Sequence, residues 1–312
     1  MARISFLNAR QSPLVIEPAP ASFDALIETV FSNRQFFREK LLAHGVLLFR
    51  GYQVDTITKF ERFVRLFSGR ELFRYAGGVS PRLALSKGVY TSTEYPAQLT
   101  LSLHNELSYA DAFPAHLYFC CLTAPASGGE TTLGDSRRIL QKIDRNVVEM
   151  FRQKKICYIR NLQAEKGSGY SWQEAFETDC PIVAENHCRR IGAQIQWKSG
   201  GGLRLKQIRP ATLTHPITGE EVWFNQADGF HPSNLGEDVY QTLDEEELRL
   251  NCSFGDGSPI DLEILRHIRA VLHEEMIPHK WQAGDVLVLD NILAAHGRMP
   301  FSGERRISLA MT

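Results

Sequence analysis

Apolar residues recur at helical spacing over residues 22–44, where Phe23, Leu26, Ile27, Val30 and Phe31 mark one face. They do so again over residues 57–67, with Phe60, Phe63, Val64 and Phe67 aligned. Between these two predicted helices the chain passes His44-Gly45 and enters VLLFR, a short apolar strand. The texture then changes. Glycine and proline punctuate residues 77–97, and strand-like runs follow over 99–104, 117–122 and 156–160. In LYFCCL, successive side chains of a strand face opposite sides, so Cys120 and Cys121 are expected to part. A helix is predicted after Asp135 as its N-cap, turning Ile139, Leu140 and Ile143 inward. Two short helices are read over 171–177 and 181–191, a hairpin in RPATLTHPITGEEVWFNQ with Pro216 and Gly219 near its turn, and a helix over 260–275. VLVLDN and RISLAM read as further strands.

Short strands dominate the middle and end, with helices at the start and in insertions. Regular β–α–β alternation is missing, which argues against a doubly wound parallel sheet. No repeat, low-complexity tract or polar linker divides the chain. The pattern predicts a mainly β fold decorated with helices, an antiparallel sandwich or barrel, in one domain over residues 1–312 with an inserted helical or lid region around 165–205.

Charge narrows the function classes. Thirty-five Lys and Arg against 36 Asp and Glu leave a formal net charge of −1, which disfavours a nucleic-acid-binding surface. No run of eighteen apolar residues offers a membrane span. The opening MARISFLNARQSPLV has no apolar signal region, so secretion is not expected. Six irregularly spaced cysteines (Cys120, Cys121, Cys157, Cys180, Cys188, Cys252) form no CxxC pair and are read as buried free thiols in a cytoplasmic protein.

Two segments carry candidate chemistry. In LTLSLHNELSY, His104 and Glu106 stand at i and i+2, which on a strand places an imidazole and a carboxylate on one face. In WQAGDVLVLDNILAAHGRMPFSGERR, an apolar strand leads to His296, followed by Arg298, Arg305 and Arg306. Two histidines and one carboxylate on a β scaffold suit non-haem Fe(II) with positions left open for cosubstrates. Arginine suits a carboxylate ligand because its planar fork donates two parallel hydrogen bonds.

These segments, together with SPRLALSKGVYTSTEYP, the continuation ADAFPAHLYFCCLTAPASGGETTLGDSR, and EVWFNQADGFHP, resemble the Fe(II)/2-oxoglutarate dioxygenases of the taurine dioxygenase and clavaminate synthase-like superfamily, in its SyrP-like branch. The stretches span residues 80–306 with gaps. The resemblance implies a double-stranded β-helix (jelly-roll) core, with Fe(II) held by His104, Glu106 and His296 and with 2-oxoglutarate and O2 as cosubstrates. It places Thr131 on a hydroxyl that contacts 2-oxoglutarate and Arg306, the second arginine of ERR, on the residue that pairs with its distal carboxylate, with Arg298 assisting. Where the taurine-type pattern has a sulfonate-gripping arginine, this chain has Ala310, which disfavours an alkylsulfonate substrate. Glu106 fills the space that related halogenases leave for halide, which disfavours halogenation.

Arg82, Tyr90, Thr93, Glu94, Tyr109, Asn225 and Gln226 lie in the matching stretches and are the candidate substrate contacts, Arg82 for a substrate carboxylate. The activity implied is hydroxylation of an unactivated C–H bond in an amino-acid-like substrate, free or tethered to a carrier, in specialised metabolism. Desaturation or cyclisation by the same chemistry is the alternative outcome, and a catalytically silent binding module is the competing class. Other signals are weaker. HEEMIPH at 273–279 has its second histidine six residues on, with Pro278 interrupting, and does not make a zincin. Cys180, His187 and Cys188 want a fourth zinc ligand. KSGGGLR at 198–204 is read as a mobile loop suited to a lid, and Ser171 in GSGYSW as a helix cap.

Overall fold

The computed structural model describes residues 2–312 apart from 76, 80, 81, 168 and 237–247; Ser80 and Pro81 of the SPR motif thus lie outside the described residues. Its largest sheet has eight strands in the order Arg3–Phe6, Leu14–Glu17, Val46–Phe49, Val286–Asp290, His116–Thr123, Arg306–Met311, Val89–Thr91, Ala84–Ser86. All neighbours are antiparallel except Leu14–Glu17 beside Val46–Phe49. A second, antiparallel sheet orders Ile277–His279, Thr131–Asp135, Ala294–Arg298 and Leu101–His104.

Alternation along the central strands builds two cores. On His116–Thr123, Leu117, Phe119 and Cys121 join the interior shared with Leu103 and Leu133 of the second sheet. Tyr118 and Cys120 face the other way, against Leu26, Val30, Phe37, Phe60, Phe63 and Phe67 of the helices Phe23–Ser32, Arg34–His44 and Ile57–Ser68. One face of the large sheet is therefore covered by helices and the other closes on the second sheet, as a jelly roll does. The parting of Cys120 and Cys121 is as the sequence predicts. The single helix expected over 22–44 is two, broken at Asn33, and Phe31 is left 72% exposed.

A third sheet, Gln194–Trp197, Leu203–Arg209, Ile156–Leu162 and Leu250–Phe254, packs Tyr158, Cys252 and Phe254 into the same interior. Helices Trp172–Phe176 and Pro181–Arg190 cover it, Ser171 capping the first through a reciprocal pair with Glu174. Residues 198–202 are a tight turn between two strands of this sheet. Asp135 caps Ser136–Lys142 by accepting from the backbone N–H of Arg137 and Arg138. All six cysteines are free; Cys180, expected buried, is exposed.

Candidate metal centre and cosubstrate pocket

The second sheet sets two histidines face to face. His104 and His296 are register partners on neighbouring strands, their ring centroids 4.4 Å apart. The strands approach closely because residue 297 is glycine: a Cβ there would sit 2.4 Å from the carbonyl oxygen of Leu101. The strand ends at His104, so Glu106 reaches the site from the turn that follows and not by alternation along a strand. Leu107, at φ +56°, reverses the chain at that point. Asn291 fixes the turn from the end of Val286–Asp290: its Oδ1 accepts from the Glu106 N–H at 2.8 Å and its Nδ2 donates to the Glu106 carbonyl at 3.0 Å. Asn105 Nδ2 in turn donates to the Asn291 carbonyl at 2.8 Å.

One ligand atom each from His104, Glu106 and His296 lies within 4.8 Å of the others. His104 Nδ1 donates to the Ser102 carbonyl at 2.8 Å, which leaves Nε2 unprotonated for a metal. Burial lowers the pKa of both imidazoles, and for His296 the neighbouring His104 and Arg82 add to the effect. Both rings are thereby held in the neutral, ligating form. Glu106 is buried with its Oε2 2.9 Å from Arg82 Nη2 and 3.7 Å from His296 Nε2. Two neutral imidazoles and an anionic carboxylate form a donor set that fits Fe(II).

This cluster forms part of the wall of a cavity of about 220 Å³, shared with Thr131, Phe119, Ser92, Thr93, Arg82, Gln226 and Arg305, and with Phe230, His231, Leu248 and Arg249. Arg305, not Arg306, reaches it. Ile307, Leu309 and Met311 face the interior, so a period of two places Arg305 on the same side, while Arg306, next to a register shift against His116–Thr123, is exposed. The assignment of Arg306 to the pocket is corrected on that ground. Arg305 donates to the Gly129 carbonyl at 3.1 Å and to Ser92 Oγ at 3.3 Å. Burial and the nearby Arg298 push its pKa down to about 10. Such a cation, with no acidic partner among the described residues, is suited to an incoming carboxylate.

Arg298 also lines the cavity, and its Nη1 and Nη2 donate to the carbonyls of Tyr95, Pro96 and Leu99, at 2.9, 2.5 and 2.8 Å. These bonds fasten a loop beside the cavity. Of the candidate substrate residues, Arg82, Thr93 and Gln226 line the cavity; Gln226 Nε2 donates to the Asn105 carbonyl, and Arg82 is paired with Glu106. Tyr90, Tyr109 and Asn225 do not. Tyr90 accepts from the Tyr75 N–H, Tyr109 packs on Tyr158 and Phe230, and Asn225 bridges the Ala211 carbonyl and the Ala227 N–H. Glu94 is exposed and lies outside the lining. None of the described residues from 165 to 205 lines the cavity. Sequence reasoning gave no role to Asn291 and Trp281 and, within the arginine cluster, placed the anchor on Arg306; the alternation of RISLAM carried back from Ile307 by two residues was the signal that would have selected Arg305.

Comparison with known proteins agrees with this geometry. Residues 13–312 match the family described as taurine catabolism dioxygenase TauD, TfdA family. The chain belongs to this family. As a TauD/TfdA-family protein it is a non-haem iron oxygenase that uses 2-oxoglutarate and O2. It is 38% identical over 304 residues to the dapdiamide synthesis protein DdaC of Enterobacter agglomerans, covering 96% of this chain and 91% of that protein. It is 28% identical to a clavaminate synthase-like protein of Arabidopsis thaliana, covering 96% and 93%. Among solved structures, PvcB of Pseudomonas aeruginosa, an Fe, alpha-ketoglutarate dependent oxygenase from an isonitrile synthetic pathway, shares the fold with a TM-score of 0.58 at 17% identity, over 99% of this chain and 90% of that one. No described helix is long and apolar enough to cross a membrane.

Proposed function

We propose that this TauD/TfdA-family oxygenase hydroxylates an unactivated C–H bond of an amino-acid-derived small molecule in cytoplasmic specialised metabolism. The observation that carries the reading is one cavity walled by the His104–Glu106–His296 cluster and by the half-buried cation Arg305 and Thr131. His104, Glu106 and His296 would hold Fe(II), which with 2-oxoglutarate and O2 supplies the oxidising chemistry. Arg305 and Thr131 would bind the distal carboxylate of 2-oxoglutarate, the guanidinium by charge and fork geometry and the hydroxyl by one donated hydrogen bond. Phe119 packs its ring 5.3 Å from that of His296, holding the imidazole plane and keeping water from that side. Tyr75, Val79, Phe230, Leu248 and Leu250 give the cavity an apolar wall against which a substrate carbon can rest. The amino-acid-derived substrate class is supported by the 38% identity to a dapdiamide synthesis protein.

Turnover coupled to succinate release tests the reading. Protein supplied with Fe(II), 2-oxoglutarate, O2 and a panel of free and carrier-loaded amino-acid derivatives is expected to release succinate in step with a product that has gained one oxygen. Product that has lost two hydrogens instead would replace hydroxylation by desaturation or cyclisation. Substrate-dependent succinate release that survives His104→Ala or Glu106→Ala would sink the metal assignment.

A further inference from the structure

Thr131 stands on the cavity wall, but its hydroxyl is also an acceptor. The indole Nε1–H of Trp281 donates to Thr131 Oγ1 at 3.1 Å, both side chains being under 5% exposed. Indole is a donor only, whereas a hydroxyl has one proton and two lone pairs. With one lone pair taken by Trp281, the Thr131 proton is directed elsewhere, and no described residue accepts it. We propose that Trp281, which does not itself line the cavity, is a positioning residue: it turns the Thr131 hydroxyl outward as a donor toward a carboxylate held by Arg305. The inference rests on the cosubstrate role given above to Thr131 and Arg305.

The fold holds Trp281 for this task. Ile277–His279 pairs antiparallel with Thr131–Asp135, His279 opposite Thr131, so Trp281 arises two residues beyond the strand position that faces its partner. The His279 ring packs edge-to-face on the indole with centroids 4.5 Å apart. A tryptophan pinned on one edge and hydrogen-bonded at its nitrogen has little freedom to release Thr131. The cosubstrate therefore meets a hydroxyl whose direction is set before it arrives, which reduces the ordering cost of binding.

Calorimetric titration of 2-oxoglutarate into the Mn(II)-loaded protein, which reads binding without turnover, decides the point. Trp281→Phe is expected to raise Kd by about three- to ten-fold, the share of one oriented hydrogen bond to a charged group, and Thr131→Val by about ten-fold or more. The double variant should match Thr131→Val alone, because Trp281 acts only through that hydroxyl. Benzothienylalanine at 281, which keeps the ring and replaces N–H by sulfur, should reproduce Trp281→Phe and separates the hydrogen bond from packing. Equal losses from Trp281→Phe in the wild-type and Thr131→Val backgrounds, or no loss with benzothienylalanine, overturn the inference. If Thr131→Val and Arg305→Met leave Kd unchanged, the underlying site reading fails instead.

Discussion

Arg82 and Glu106 form a buried ion pair, Nη2 to Oε2 at 2.9 Å, with both side chains about 95% removed from solvent. The guanidinium stacks on Tyr75, 4.6 Å from the ring centroid, and donates to the carbonyls of Thr91 and Ser92. A proposed metal ligand is thus held by a cation that the sequence suggested for a substrate carboxylate. Removing one partner of a buried pair leaves an uncompensated charge, which costs roughly 3–5 kcal/mol. Arg82→Gln is expected to lower the stability of chelator-treated protein by about that much, and a divalent metal should restore part of it by neutralising Glu106. Thermal melts with and without Mn(II) measure both effects. A melting temperature that drops equally in the two conditions would mean that Arg82 only anchors its own loop.

The two adjacent arginines make opposite predictions. Arg305 faces the cavity and Arg306 faces solvent. Arg305→Met is expected to raise the KM for 2-oxoglutarate by about ten- to a hundred-fold, as loss of a charge-assisted hydrogen bond implies. Arg306→Met should leave it within two-fold. Steady-state kinetics at varied 2-oxoglutarate compare them directly, and the reverse ranking would return the anchor to Arg306.

That pair also shows where the sequence was legible. The jelly-roll strands were, because alternation in LYFCCL, VLVLDN and RISLAM separates an interior from a helix-covered face. His104 and His296 were, through motif resemblance. The route of Glu106 was not: local spacing suggested one strand, whereas the strand stops at His104 and Asn291, 185 residues away in sequence, sets the turn. The loop-fastening bonds of Arg298 were hidden for a similar reason, since its three carbonyl partners lie about 200 residues upstream. Such contacts depend on which strands become neighbours, and nothing in the local pattern of either segment encodes that.

Arg298 fastens residues 95–99 by three donated bonds and packs against Tyr95 and Phe301. Lysine in its place keeps the charge but loses the planar fork that bridges several carbonyls. Arg298→Lys is expected to destabilise the protein by about 1–3 kcal/mol through the carbonyls left unmet. Amide exchange in residues 92–100 should accelerate, while the KM for 2-oxoglutarate should change little. A KM effect as large as that of Arg305→Met, with unchanged exchange, would assign Arg298 to the cosubstrate instead.

His279 gives the protein an acid-sensitive interior. It is fully buried, neither ring nitrogen has a hydrogen-bond partner among the described residues, and burial together with nearby Arg50 pushes its pKa down to about 3. Asp285, 3.7 Å away, is already engaged by Arg50 and the Gln282 N–H. The unfolded chain protonates this imidazole near its ordinary pKa of about 6.5, and the folded protein does not. Stability from this group is therefore complete above pH 6.5 and is lost as pH falls from there toward 3, at about 1.4 kcal/mol per pH unit. His279→Phe keeps a ring against Trp281 and removes the proton. Urea unfolding at pH 7 and pH 5 should show that the variant loses about 2 kcal/mol less than wild type over that interval. An unchanged pH slope would show that His279 binds its proton in the folded protein as readily as in the unfolded chain.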